Sequence, residues 1–213
     1  MGAGRPKQYL ALGKRTLLER SVDALLADAR VTRVFVVVAP GDAVAAELLD
    51  PARCAVLAVG GATRAQSVRN GLRAVKEEGT ANDWALVHDA ARPCLGARDL
   101  SALIEAAGAD EHGGLLALPI SDTVKREQEG RVERTEERAG LWRAQTPQFF
   151  AVDLLLRALE LCADGAAVTD EAAAMEFLGL RPRLVCGSSE NIKVTTPGDM
   201  QLAEAILKMQ GRW

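Results

Sequence analysis

The chain has 213 residues, 48% of them hydrophobic and 26% charged, with a formal net charge of −3 and a pI of about 5.6. That composition is ordinary for one globular domain, and its acidic average excludes a general nucleic-acid binder, whose affinity rests on a basic surface. A small anionic ligand held by a few converging cations remains compatible with it.

The chain opens with "MGAGRPKQYLALG", a Gly/basic stretch of the kind that follows a buried strand in phosphate-binding α/β proteins. Residues 16–29 carry Leu17, Leu18, Val22, Leu25 and Leu26 on one helical stripe. "VTRVFVVVAP" is a β-branched run with the continuous apolarity of a strand buried on both faces. A short helix over 41–49, a strand "CAVLAVGG", a helix over 62–79, a strand "WALVHDA", a helix over 97–110 and a strand "GGLLALPI" follow. This alternation predicts an α/β fold with a mostly parallel, doubly wound sheet. Residues 121–145 break the pattern. They are charged, nearly coreless and centred on "EG", and their alternation predicts a protruding β-arm. Helices over 151–163 and 169–180, short strands "PRLVCG" and "NIKVT", and a final helix capped by Thr196 with Pro197 in its first turn complete the chain. The whole of 1–213 reads as a single domain.

Cys54, Cys94, Cys162 and Cys186 form no C-x-x-C pair and read as reduced thiols. With only His88 and His112, a His-rich zinc site is not expected. No apolar run reaches the ~20 residues of a membrane-spanning helix, and no signal-peptide pattern is present. The expected location is cytoplasmic, with neither nucleic acid nor membrane as partner.

Parallel α/β sheets bind ligands outside the carboxyl ends of their strands. Gly60, Gly61, Arg64 and Ser67 stand there after one strand, and His88, Asp89, Ala90, Ala91 and Arg92 after the next. Lys7 precedes the first helix and Lys193 lies near the end. Four cations, small residues and one carboxylate suit a nucleotide-phosphate site. Singly each has a plainer reading: a turn at Gly60-Gly61, a structural His88, an edge-strand lysine at 193. "ALGKRT" is no P-loop, because no glycine sits five residues before Gly13 and Arg15 replaces the Ser/Thr.

In order, "RPKQYLAL", "GGATRAQSV", "VHDAARP", "SDTVKR", "RAGLWRAQTPQFF", "VTDEA" and "NIKVTTPGD" resemble the segments of 2-C-methyl-D-erythritol 4-phosphate cytidylyltransferases, a Rossmann-like nucleotidyltransferase family of the non-mevalonate isoprenoid pathway. The resemblance runs from residue 1 to about residue 207. It implies transfer of a cytidylyl group from CTP to 2-C-methyl-D-erythritol 4-phosphate, giving 4-diphosphocytidyl-2-C-methyl-D-erythritol and pyrophosphate. Mg²⁺ would ride on the triphosphate, with Asp89 the one candidate protein ligand. It also implies roles. Lys7 and Lys193 flank the pentavalent α-phosphorus, and Lys193 also touches the incoming phosphate. Gly61, Arg64, Ser67, Asp89 and Ala90 bind the nucleotide, while Arg92 fixes the loop. Asp89, Thr123, Arg138, Thr146 and Thr169 meet the sugar phosphate, with Arg138 gripping its phosphate. The arm of each subunit is expected to embrace a partner in a homodimer. Family members carry an apolar strand and an Ala-Ala-Gly-x-Gly-x-Arg stretch ahead of "PKQ"; both are expected upstream of this sequence, since βαβ order also wants a strand there. Two alternatives are a ribitol-5-phosphate cytidylyltransferase and a truncated, catalytically impaired dimeric homologue.

Overall fold

The computed structural model describes residues 6–78, 83–162 and 168–213. Residues 1–5, the start of the Gly/basic opening, and the ends of the helices expected over 62–79 and 151–163 lie outside the described residues.

A 3-10 turn at Lys7–Tyr9 leads into a two-residue hairpin, β1 (Ala11–Leu12) with β2 (Arg15–Thr16). Helix α1 (Leu17–Leu25) starts on a capping box between Thr16 and Glu19. It ends earlier than its apolar stripe predicts, because the Asp28 carboxylate takes the Arg30 backbone N–H and guanidinium, a local alternative to another helical turn. Then come β3 (Val34–Val37), α2 (Val44–Leu48), β4 (Cys54–Leu57), α3 (Arg64–Glu78), β5 (Trp84–Val87), α4 (Ala97–Gly108) and β6 (Gly114–Pro119). The arm is the hairpin β7 (Val124–Gln128) and β8 (Arg131–Glu136). After it follow β9 (Trp142–Ala151), α5 (Val152–Leu161), α6 (Glu171–Phe177), β10 (Arg183–Cys186) and α7 (Pro197–Met209). Thr196 caps α7 through its hydroxyl with Pro197 in the first turn, as predicted.

The main sheet has the order β10-β6-β9-β5; β10 and β6 are parallel, and β9 runs against both neighbours. Parallel β3 and β4 form a separate pair. Adjacent residues face opposite cores, as a doubly wound sheet requires. Leu116 and Phe149 pack with Leu100 and Leu103 of α4, while Leu115 and Phe150 pack with Leu155 of α5 and Met175 of α6.

The sequence pattern does not predict strand β9, and its first four residues fall within the expected arm. Its polar residues break any apolar alternation, yet Gln145, Thr146 and Gln148 are buried and bonded to groups distant in sequence. Pro147 sits where the β6–β9 register shifts, the kind of position at which a sheet tolerates proline. "NIKVT" is not a strand; its backbone meets the neighbouring loop at Val194 N–H to Ala91 C=O, 2.8 Å, and at the Asn191 carbonyl, which accepts from Arg92. The turn at the arm tip places both Glu129 (φ 52°) and Gly130 (φ 75°) in the left-handed region, the geometry of a tight hairpin turn.

Candidate active site

The polar end of a cleft between β3 and β5 gathers Lys7, Arg64, Ser67, Asp89, Ala90 and Lys193. Each is placed by local chemistry. Tyr9 is buried and donates to the Asp42 carboxylate at 2.6 Å, pinning the turn that carries Lys7. Burial and that carboxylate push the Tyr9 phenol up to about 12. Gly60 must be glycine, since a Cβ there would lie 2.8 Å from the Val38 carbonyl oxygen. The Ser67 hydroxyl accepts from Gly61 N–H at 3.0 Å and donates to Thr63 C=O at 2.9 Å, folding the glycine loop onto the start of α3.

Asp89 is the hub. Its Oδ1 accepts from Arg64 Nε at 3.1 Å and its Oδ2 pairs with Lys193 Nζ at 2.8 Å. The side chain is only 12% exposed. Burial works against its charge, but the Lys193 ammonium and Arg64 guanidinium outweigh it and hold the carboxyl down at about 2. The other edge of Arg64 makes a bidentate pair with Glu171, Nη1 at 2.7 Å and Nη2 at 3.1 Å. Glu171 is 1% exposed. Burial raises its pKa, with Arg64 pulling in the opposite direction. A second layer fixes this carboxylate: Asp170 caps α6 at Ala173 N–H, and Gln148 bridges Asp170 to Ala172 N–H.

Burial draws the His88 imidazole down to about 4, so it is neutral at pH 7. Its Nε2 lies 3.1 Å from the Arg92 carbonyl, an acceptor only, so Nε2 carries the proton. Its Nδ1 then accepts from the Thr146 hydroxyl at 3.0 Å, and the same oxygen accepts from Asp89 N–H at 3.1 Å. Arg92 donates to the Asn191 carbonyl at 2.7 Å, locking the loop of Lys193 to the loop of Asp89.

The structure thus gathers Lys7, Arg64, Ser67, Asp89, Ala90 and Lys193 in one cleft, with Gly61 bonded at its edge. Thr146, expected among the sugar-phosphate contacts, is buried in β9, where its hydroxyl meets His88 Nδ1 and Asp89 N–H. Thr123 and Arg138 are exposed on the arm side, and Thr169 is exposed two residues before Glu171. Sequence reasoning passed over Glu171; its signal was the acidic pair in "VTDEA" directly after Thr169. Among the described residues no group of three His, Cys, Asp or Glu could hold a metal ion. Asp89 is the carboxylate that stands among the cations of the cleft.

The family model described as 2-C-methyl-D-erythritol 4-phosphate cytidylyltransferase matches residues 1–209. A protein of that name from Laribacter hongkongensis is 53% identical, over 97% of this chain and 90% of its own length. Another from Dechloromonas aromatica is 50% identical, over 97% and 91%. Among solved structures, a 4-diphosphocytidyl-2C-methyl-D-erythritol synthase superposes with a TM-score of 0.88 at 42% identity, covering 95% of this chain and 94% of that one. The enzyme of that family from Thermus thermophilus gives a TM-score of 0.81 at 32% identity, over 97% and 95%.

Proposed function

The chain belongs to the 2-C-methyl-D-erythritol 4-phosphate cytidylyltransferase family, and from that premise we propose that the cleft around Asp89 is where it acts. It is a nucleotidyltransferase that moves the cytidylyl group of CTP onto 2-C-methyl-D-erythritol 4-phosphate and releases pyrophosphate. The ribitol-5-phosphate alternative finds no counterpart among these relatives.

The observation that carries the site is the clustering of Lys7, Arg64 and Lys193 about one buried carboxylate. In the free protein Lys193 is paired with Asp89. A triphosphate entering the cleft competes for that ammonium, and Lys193 turns from Asp89 to the phosphorus under attack. The phosphate oxygen of the sugar alcohol forms the new P–O bond at the α-phosphorus as the bond to pyrophosphate breaks. Lys7 and Lys193 neutralise the charge that builds on the equatorial oxygens, a task for compact point charges. Gly61, Ser67, Arg64 and Ala90 form the nucleotide side. Asp89 would hold Mg²⁺ together with the phosphates of CTP, and the ion would supply further charge neutralisation there.

The sugar-phosphate side is completed by a second subunit. Among the described residues the arm strands pair only with each other, and Val132 at 65% exposed, Leu141 and Trp142 lie open along the arm and its base. A two-fold dimer covers them and brings the partner's arm, with its Thr123 and Arg138 positions, over the cleft beside Thr169. No helix among the described residues is long and apolar enough to cross a membrane.

The test is turnover of CTP, ATP and GTP with either methylerythritol 4-phosphate or ribitol 5-phosphate. CTP with methylerythritol phosphate is the expected pair, and equal use of all nucleotides would sink the reading. Lys193→Ala lowers kcat by roughly 10²–10³, the scale of one lost transition-state donor, in a chain that still folds; near-normal turnover would return Lys193 to a surface role.

A further inference from the structure

Lys193 stands on a loop that is not part of any strand, yet its ammonium meets Asp89 Oδ2 at 2.8 Å. Two buried amides fix that loop. Gln145 of β9 and Asn191, two residues before Lys193, are 3% and 0% exposed. Each donates to the main chain of the other's segment. Gln145 Nε2 donates to Ser188 C=O at 3.0 Å and approaches the Asn191 carbonyl at 3.4 Å. Asn191 Nδ2 donates to the carbonyl of Thr146, the residue after Gln145, at 2.8 Å. Between these points the loop closes on itself, with Asn191 N–H on Ser188 C=O at 3.2 Å. A Cβ at Gly187 would lie 2.5 Å from Gln145 Oε1, so the loop begins on the residue that lets the amide lie across it.

Thr146 ties this clasp to the chemistry. Its carbonyl accepts from Asn191, and its hydroxyl accepts from Asp89 N–H at 3.1 Å. Asp89 and the loop of Lys193 are thereby held by one residue of β9. Arg92 adds a further tie, donating to the Asn191 main-chain carbonyl at 2.7 Å. Neither Gln145 nor Asn191 lines the cleft, so their link to the reaction runs through the residues they hold.

We propose that Gln145 and Asn191 are positioning residues for Lys193: two buried amides that set its main chain against β9, so that the ammonium reaches the phosphorus under attack from a fixed base. The inference rests on the reading of Lys193 as the group that neutralises charge in the reaction. A lysine stem is long and flexible, so the reach of the ammonium is defined only as well as the main chain from which it extends. A displacement of about 1 Å at a reacting centre can cost about 10²-fold in rate. Burying two amides is unfavourable unless their donors are met, and here those donors are directed at this one loop and the strand beneath it. A lysine that merely blocked a sheet edge would need no such support.

The test is a double-mutant cycle on turnover of CTP with methylerythritol 4-phosphate. Asn191→Ala and Gln145→Met remove the amide donors, one from each side of the clasp, and methionine keeps most of the volume of glutamine. Each is expected to lower kcat about tenfold or more, with KM for CTP changed less than about threefold, because Gly61 and Ser67 of the nucleotide side stand on a different loop. In a Lys193→Ala chain the same substitutions should lower kcat by less than about twofold further, since the group they position is gone. Rates are taken per folded chain, from a circular dichroism melt that spans the assay temperature, so lost stability is not counted as lost rate. Gln145→Met carries the test if Asn191→Ala leaves too little folded chain. Equal factors in the two backgrounds would make the amides ordinary scaffold and overturn the proposal with the role of Lys193 intact, as would an unchanged kcat in both single variants. Near-normal turnover of Lys193→Ala alone would overturn the proposal together with the reading it rests on.

Discussion

Arg64 and Glu171 form an asymmetric pair, and the asymmetry decides what each substitution does. Glu171 is buried, whereas Arg64 keeps 36% of its side chain in solvent. Glu171→Gln frees a guanidinium that can turn outward, so its cost in stability is small. Arg64→Ala strands a buried carboxylate and costs about 3 kcal/mol near pH 8. The orphaned carboxyl has a folded pKa above its unfolded value, so stability is retained below about pH 4.3 and lost as pH rises. Urea melts of Arg64→Ala at pH 5 and pH 8 should therefore diverge, with the higher pH weaker, and adding Glu171→Gln should close the gap. His88 acts with the opposite sign. Its folded value of about 4 lies below the ordinary 6.5, so its contribution is whole above pH 6.5 and is lost as pH falls toward 4. The full loss is about 3 kcal/mol. A melt series from pH 7 to pH 4 should show that fall, and His88→Gln should flatten it.

The arm hairpin shows how an element without a core is held. Polar side chains link its strands: Lys125 Nζ donates to Thr135 Oγ1 at 2.7 Å, and Arg126 of β7 meets Glu136 of β8, which Arg134 of its own strand also approaches at 3.0 Å. Exposed pairs of this kind are each worth about 0–1 kcal/mol, too little to make the arm a folding unit. Its value lies in what it reaches. If the arm completes a partner's site, an Arg138→Ala chain mixed with a Lys193→Ala chain yields heterodimers with one intact site of two. About a quarter of the wild-type activity should return after subunit exchange. Unchanged activity in verified heterodimers would show that Arg138 serves its own subunit.

Across the whole molecule, the last residues clasp the segment that follows the Asp89 loop. Arg212 donates to Leu95 C=O at 2.9 Å and Pro93 C=O at 3.2 Å, and Gln210 to Cys94 C=O at 3.1 Å. Arg20 of α1 reaches the Arg212 carbonyl, and its guanidinium lies over the Trp213 ring. Trp213 in turn fits against Gly13, where a Cβ would come within 2.8 Å of the indole. Arg212→Ala removes the bonds to two buried carbonyls for about 2 kcal/mol, a Tm drop of roughly 4–8 °C for a domain of this size. Calorimetry should show that drop, with Gln201→Ala, on the exposed face of α7, as the neutral control.

The α-helices and the strands β3 to β6 were legible along the chain because local period and composition carry them. "VFVV" and "LLAL" are apolar enough to announce burial on both faces, and Thr16 and Thr196 mark helix starts by their own side chains. The arm tip was legible for the same reason, since "EG" selects the turn. The residue types of the cleft were legible too, as cations and glycines at strand ends. Three things were decided only in three dimensions. β9 exists because Gln145, Thr146 and Gln148 find buried partners from other elements, which no local pattern encodes. Thr146 meets His88 and the Asp89 N–H because β9 brings it there. Glu171 reaches Arg64, 107 positions away, because α6 packs on the same sheet face as α3. A sequence reports what each segment prefers; which polar groups become partners depends on which segments meet, and there burial makes a carboxylate or a hydroxyl costly unless its partner has already been brought to it.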